Sequence, residues 1–264
     1  AIYYRIPVQN WAPPSSTHDR MAMNWAHGLS NPLASPPKSL VALKEAGGLF
    51  GPAVTKITIC NYITPAIVRA VEWVGALNPE HPHLYLTSCR DELVDKTIRT
   101  LKHTRKTGIA AVGLTGGYLG HTSAGARALS DPKVHRMGTA ARAWPLIAHP
   151  ADSGIEAMGQ ALREVITELG GADAVLGLFV EPVQERTGQV LTDAHWQALA
   201  AFRDETGIPI VSIETASAGY RAQDTAFATD KAPCIPDIRA WWPGGQTGFI
   251  HLKPDYFVPN PLTM

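Results

Sequence analysis

The chain has 264 residues, a length that suits one large domain, and its 23 basic and 23 acidic side chains give a formal net charge of zero. That balance excludes the basic excess on which nucleic-acid binding and polybasic membrane attachment depend, so we expect neither nucleic acid nor a membrane as a partner. No apolar run approaches the roughly 20 residues needed to span a bilayer.

The cysteines and histidines carry little functional signal. Cys60, Cys89 and Cys234 are far apart and odd in number, so they form neither a disulfide framework nor a CxxC pair, and this usage predicts a reducing cytoplasm. His81 and His83 lie among prolines, with no third ligand at a useful spacing. We therefore expect no metal site.

The composition changes along the chain. Residues 1–55 are rich in Pro, Ser, Asn and Gly, which predicts an irregular N-terminal arm, and residues 56–264 are expected to form the main domain. Its first predicted helix is TPAIVRAVEWVGAL, which has a Thr-Pro start. A short strand, HLYLT, follows, and then an amphipathic helix, DELVDKTIRTLKHTR, whose acids come first and bases last, as the helix dipole prefers.

Apolar strands and helices then alternate. The predicted order is strand GIAAVGLTG, helix GIEAMGQALREVITELG, strand ADAVLGLFVEP, helix TDAHWQALAAFRDETG and strand IPIVSIE. This alternation predicts an α/β fold with three αβα layers and a mostly parallel sheet covered on both faces. Ligands of such sheets bind at the carboxyl ends of the strands. We therefore expect one crevice lined by TSCRDE, TGGYLGHT, VEPVQERTG and IETASAGYR.

These four strand ends, in this order, resemble the class III aminotransferases, which are pyridoxal-phosphate enzymes of fold type I, and most closely the L-lysine ε-aminotransferase branch. GGYLGHT (116–122) resembles the family's Gly-Ala-Tyr/Phe-His-Gly-Arg-Thr segment, and VEPVQERTGQV (180–190) resembles its Glu-Pro-Val/Ile-Gln-Gly-Glu-Gly-Gly stretch. The likeness covers roughly residues 20–264. It implies the large domain of a fold type I aminotransferase without the C-terminal small domain, and a dimer with a crevice built across its two-fold interface.

The resemblance assigns cofactor positions around the first two strand ends. Ser88, Cys89 and Arg90 stand where small residues cradle the cofactor phosphate. Ser88 and Arg90 could bind phosphate, and Arg90 could equally be a surface salt-bridge residue. Tyr118 falls on the aromatic that stacks on the pyridine ring, or it is a core tyrosine beside a Gly-Gly turn. The family's next residue, His, is Leu119 here.

The third and fourth strand ends depart further from the family. Glu181 and Gln184 match its Glu-Pro-Val-Gln, but Arg186 replaces the glutamate that admits alternating substrates, so the charge is reversed. Arg186 either binds a carboxylate or is structural. The acid that pairs with the pyridinium nitrogen falls on Glu214 in one register and on Ile213 in the other, and Glu214 is the nearest substitute.

The segment PDIRAWWPGGQTG resembles the frame of the aldimine lysine, the family's covalent anchor and general base. Pro243 occupies the expected lysine position, five residues after Ile238, and no lysine lies between Ile238 and Gly248. Trp241 and Trp242 would pack into the vacated channel or an interface. We therefore assign no catalytic residue and expect no covalently bound cofactor.

Three functional hypotheses follow from these departures. The first is an aminotransferase-like protein without standard transaminase chemistry that acts as a binding, scaffolding or heteromeric partner subunit. The second is a repurposed enzyme that holds an anionic or aromatic ligand, or non-covalent pyridoxal phosphate. Its candidate residues are Arg90, Tyr118, His121, Glu181, Arg186, Glu214 and His251. The third is an active lysine-type aminotransferase that recruits Lys253, beyond the predicted strand GFIHL.

Overall fold

The computed structural model of the chain describes residues 65–135, 143–244 and 247–258, so the predicted arm at 1–55 lies outside the described residues. The strands of the described part form one seven-stranded sheet in the order β1-β7-β6-β5-β4-β2-β3. They are β1 His83–Thr87, β2 Ala110–Leu114, β3 Leu146–Ile147, β4 Val175–Val180, β5 Ile210–Glu214, β6 Ile238–Trp241 and β7 Gly248–Leu252.

The described helices separate most of the strands along the chain. They are α1 Pro65–Ala76, α2 Arg90–Thr104, α3 Ala124–Leu129, α4 Pro132–His135, α5 Pro150–Ser153, α6 Ile155–Leu169 and α7 Asp193–Thr206. None of them is both long and apolar enough to cross a membrane.

Local sequence signals account for the helix ends. Helix α1 begins at Pro65, whose missing amide hydrogen costs nothing in a first turn. Helix α7 begins after Thr192, whose hydroxyl accepts from the amide of His195, and the His195 side chain pairs in return with the Thr192 amide. It ends at Gly207, which has a left-handed φ of 68° that glycine adopts without strain.

Two apolar cores lie on opposite faces of the sheet and confirm the three-layer αβα prediction. On one face, Leu93 and Leu101 of α2 pack against Phe179 of β4 and Val211 of β5. On the other, residues of α6 and α7 pack against alternate strand positions, with Leu178 of β4 among them. A third, smaller cluster packs α1 against the ends of β6 and β7. The crevice edge is therefore held from both sides.

Strand β7 is the exception to the parallel arrangement. It pairs antiparallel with β1 on one side and with β6 on the other, whereas β6, β5, β4, β2 and β3 are parallel in succession. Strand β7 begins at Gly248, where there is no room for a side chain. A Cβ at this position would lie 2.5 Å from the Thr87 hydroxyl oxygen and 2.9 Å from a methyl carbon of Leu93. Because β6 and β7 are antiparallel neighbours, the connection between them is a hairpin, and it lies at the carboxyl ends of the parallel strands.

Candidate functional site

The predicted crevice exists as a set of contacts at the carboxyl edge of the sheet. The Arg90 guanidinium, at the start of α2, forms an ion pair with Glu185 at 2.7 Å. Its Cζ lies 4.3 Å from the centroid of the Tyr118 ring, and the Tyr118 amide donates to Glu181 at 2.8 Å. Burial lowers the pKa of Arg221, and the Glu185 charge opposes that shift, so the segment after β5 faces the same carboxylate.

Two arginines cover the Tyr118 ring. The Cζ atoms of Arg90 and Arg186 lie 4.3 Å and 4.2 Å from its centroid, and the residue is only 3% exposed. The Tyr118 hydroxyl forms a hydrogen bond with Nδ1 of His121. Cation–π contacts of this kind contribute roughly 0.5–2 kcal/mol each, so another ring can stack on Tyr118 only by displacing an arginine. Leu119, beside it, is buried in the apolar core.

The position expected to bind a phosphate already holds a carboxylate. Both the amide and the hydroxyl of Ser88 donate to Oε2 of Glu92, the amide at 2.7 Å. Cys89 is exposed and precedes α2 without capping it through its side chain. Because the Ser88 donors are taken by an acid one helical turn away, an anion would have to expel Glu92 to use them.

Glu181 and Gln184 hold the loop after β4 in different ways. Burial raises the pKa of Glu181 to about 7, although the amides of Tyr118 and Glu185 donate to its carboxylate and oppose the shift. Gln184 is also buried, and its amide nitrogen donates to the carbonyl of Thr115 at 2.8 Å. Gln184 therefore ties two strand ends together, whereas Glu181 is a carboxyl that titrates near neutrality.

Glu214 and Ile213 are the two candidates for the acid that pairs with the pyridinium nitrogen, and neither presents a free carboxylate. Glu214 is fully buried, and its carboxylate accepts hydrogen bonds from groups of its own strand and loop. The donors are the Ser212, Ser217 and Thr229 hydroxyls and the Ala228 and Thr229 amides, at 2.6–3.4 Å. Ile213 packs in the apolar core. In this arrangement Glu214 fixes the loop after β5.

The two tryptophans of the segment PDIRAWWPGGQTG have different surroundings. Trp241 is buried, stacks on Phe249 with ring centroids 4.6 Å apart, and donates to Nε2 of His251 at 3.1 Å. Burial lowers the pKa of His251 to about 3, so its imidazole is neutral near pH 7. Trp242 instead lies at the crevice, where the Arg90 Cζ is 5.3 Å from its ring.

Lys253 lies at the opposite edge of the sheet. It follows β7, which runs antiparallel to β6, and its Nζ donates to Asp237 at 3.0 Å, just before β6 begins. The hairpin that would present a catalytic lysine contains Trp242 and Pro243 instead. The described geometry therefore places the lysine of the third hypothesis away from the crevice.

The paired histidines are structural. Nε2 of His81 donates to the Pro236 carbonyl at 2.8 Å, and the His83 ring stacks on Phe257 with centroids 4.0 Å apart. Within residues 65–135, 143–244 and 247–258, no three His, Cys, Asp or Glu side chains come together as metal ligands.

Comparisons with known proteins agree on the architecture. No family model and no curated protein matches the sequence. Among solved structures, a lysine aminotransferase from M. tuberculosis has a TM-score of 0.73 at 18% identity, over 84% of this chain and 56% of that one. A transaminase from the marine bacterium Virgibacillus gives 0.70 at 18% identity, over 82% and 52%. An omega-transferase from Vibrio fluvialis JS17 gives 0.68 at 18% identity, over 83% and 56%.

The chain has the fold of the pyridoxal-phosphate transaminases of fold type I. The resemblance drawn from the strand-end motifs is thereby confirmed at the level of fold. The chain spans about half the length of the transaminases it matches.

The described residues fit the transaminase cofactor poorly. Arginines cover the ring that would stack on the pyridine, the Glu214 carboxylate is used by its own loop, and the Ser88 donors are used by Glu92. Each of these contacts with the cofactor requires a displacement first.

The sequence motifs assigned no functional role to three residues of the crevice. Glu185 and Arg221 stand next to or near matched positions, and Trp242 was interpreted only as packing. Glu185 lies beside an arginine in the loop after a predicted strand, and this pattern could have indicated its ion pair. The Arg90–Trp242 contact joins residues far apart in sequence and gave no local signal.

Proposed function

We propose that this chain is an aminotransferase-fold binding subunit that forms no Schiff base and works as a homodimer or with a different partner chain. The observation that carries the proposal is the β6–β7 hairpin, which has Trp242 and Pro243 where the resemblance expects the lysine, while Lys253 pairs with Asp237 at the far edge. The wide spacing of the cysteines supports a cytoplasmic setting as part of the same proposal.

The test is titration of the purified chain with pyridoxal phosphate. We expect no saturable absorbance band at about 420 nm, the position typical of a lysine imine, and no stoichiometric mass increase after borohydride reduction. A band that saturates at one per chain and disappears in Lys253→Ala would replace this proposal with the active-aminotransferase hypothesis. Light scattering of the chain alone separates a homodimer from a chain that needs another partner.

A second function is favoured by a specific observation. Arg186 stands where the family has a glutamate, and among the described residues no carboxylate lies within ion-pair distance of its guanidinium. An unpaired arginine stacked on a buried tyrosine is a ready partner for an anion. We therefore propose, as the second function, that the crevice binds a small anionic ligand.

A further inference from the structure

The crevice is lined by hydrogen-bond donors that lack acceptors. In the described part of the chain, Nε of Arg90 and Nε1 of Trp242 are buried without a hydrogen-bond partner. Neither side chain has an acceptor atom, and the same is true of Arg186. Buried donors are costly to leave unpaired, so this edge of the sheet favours a ligand that brings oxygen atoms.

The charges of the crevice point the same way. The carboxylate of Glu185 forms its ion pair with Arg90, whereas no carboxylate of the described residues lies within ion-pair distance of Arg186. Two guanidinium groups therefore lie over one tyrosine ring, and among the described residues only that of Arg90 is paired with a carboxylate. A ligand with two negative charges can pair with both arginines once it displaces Glu185, whereas a monoanion can pair fully with only one.

Tyr118 holds two of the arginines in place before any ligand arrives. Both Cζ atoms lie just over 4 Å from its ring centroid, so their separation is at most the sum of these two distances. Both guanidinium groups are therefore held against the same side chain. Preorganised guanidinium groups bind an anion with little further loss of side-chain freedom. Because the ring itself is covered, the arrangement favours an anion over an aromatic ligand.

We infer that the crevice binds a small oxyanion carrying two negative charges through Arg90, Arg186 and Trp242, with Glu185 as the internal anion that competes with it. The inference rests on the second proposed function and names its ligand class. A phosphate-type group and a dicarboxylate share this chemistry. A phosphate-type group carries both charges on one centre, whereas a dicarboxylate can present one carboxylate to each arginine.

The experiment is isothermal titration calorimetry of the full chain at constant ionic strength, with sulfate, succinate and acetate as probes. We expect one site per chain that binds a dianion at least ten-fold more tightly than acetate. Tighter binding of sulfate identifies a phosphate-type ligand, and tighter binding of succinate identifies a dicarboxylate. Absence of saturable binding by both dianions overturns the inference and leaves the imine test unaffected.

Variants assign the site to these residues. Arg186→Gln, at an exposed side chain whose loss should not affect folding, is expected to weaken dianion binding at least ten-fold. Glu185→Gln is expected to strengthen binding several-fold, because it removes the competing carboxylate. Arg163→Gln is the matched control, since this exposed arginine pairs with Glu205 on the helical surface. Unchanged affinity in Arg186→Gln, or weaker binding in Glu185→Gln, contradicts the inference.

Discussion

Two regions of the molecule each place an arginine against an aromatic ring, but the two arginines have different surroundings. In the crevice, Arg90 lies 4.3 Å from the Tyr118 ring, beside Glu185 and His121. Behind β5–β7, Arg239 lies 4.6 Å from the Phe227 ring, within a buried polar cluster. That cluster consists of Asn78, His81, Glu214, Arg239 and His251.

The difference between them is in pairing and burial. Arg239 is 4% exposed in its side chain and donates to Asn78 and Asp230 at 2.7 Å and 2.9 Å. Arg186 is exposed, and among the described residues no carboxylate lies within ion-pair distance of it. The charge of Arg239 is paired with Asp230 inside the fold, whereas the unpaired charge of Arg186 is available to a ligand.

The largest expected effect is acid destabilisation through the buried polar cluster. Burial lowers the pKa of His81 to about 4 and of His251 to about 3, against 6.5 in the unfolded chain. Below pH 6.5 the unfolded chain therefore binds protons that the folded chain does not. The free energy of unfolding should fall as pH drops from 6.5 towards 4, by on the order of 3 kcal/mol for each histidine. Urea unfolding across this range measures it, and His251→Gln should flatten the slope.

The next largest effect is expected from Glu214→Gln. The amide group would face donors from Ser217, Ala228 and Thr229, so buried groups lose their acceptor. We expect a loss of about 3 kcal/mol in unfolding free energy. Glu185→Gln, which breaks a partly exposed ion pair, should cost less than about 1 kcal/mol. Equal losses in the two variants would erase the distinction between the regions.

A smaller effect concerns Glu181, the buried carboxyl of the crevice. Its folded pKa of about 7 exceeds the usual 4.5, so it acquires charge as pH rises through neutrality, and the stability it contributes at low pH is lost between 4.5 and 7. Sulfate keeps its charge over this range. Its affinity should fall several-fold from about pH 6 to pH 8, and Glu181→Gln should remove most of that fall. A profile that persists in Glu181→Gln contradicts the assignment.

The smallest effect is expected from Lys253→Ala. This lysine is partly exposed and pairs with Asp237, so its loss should cost no more than about 1 kcal/mol. Dianion binding should stay unchanged because the residue lies at the other edge of the sheet. Weakened binding in calorimetry would show that the two edges communicate.

Much of the fold was predictable from the sequence, because periodicity and helix-end signals are local. The strands HLYLT and IPIVSIE and the helix after Thr192 appear within a residue or two of their predicted bounds. Strand β3 was missed because two residues carry no pattern. The reversed direction of β7 was not predicted either, since strand direction depends on which neighbours it pairs with.

The candidate site was predictable in position but not in chemistry. Strand-end motifs predict Arg90, Tyr118 and Glu181 at one edge, and in the structure Arg90 and Glu181 both contact Tyr118. They gave no indication that Glu214 is used by its own loop, or that Arg239 pairs with Asn78 across 161 positions of sequence. Pairing partners of charged groups are set by tertiary contacts, which a local pattern does not encode.

The hairpin between β6 and β7 has a consequence for how binding can be observed. Because β7 reverses the chain, Trp242 and Lys253 emerge on opposite edges of the sheet although they are close in sequence. A strand of five residues is about 16 Å long. A fluorophore attached at Lys253 would therefore sit clear of the ligand while remaining within energy-transfer range of the Trp242 indole.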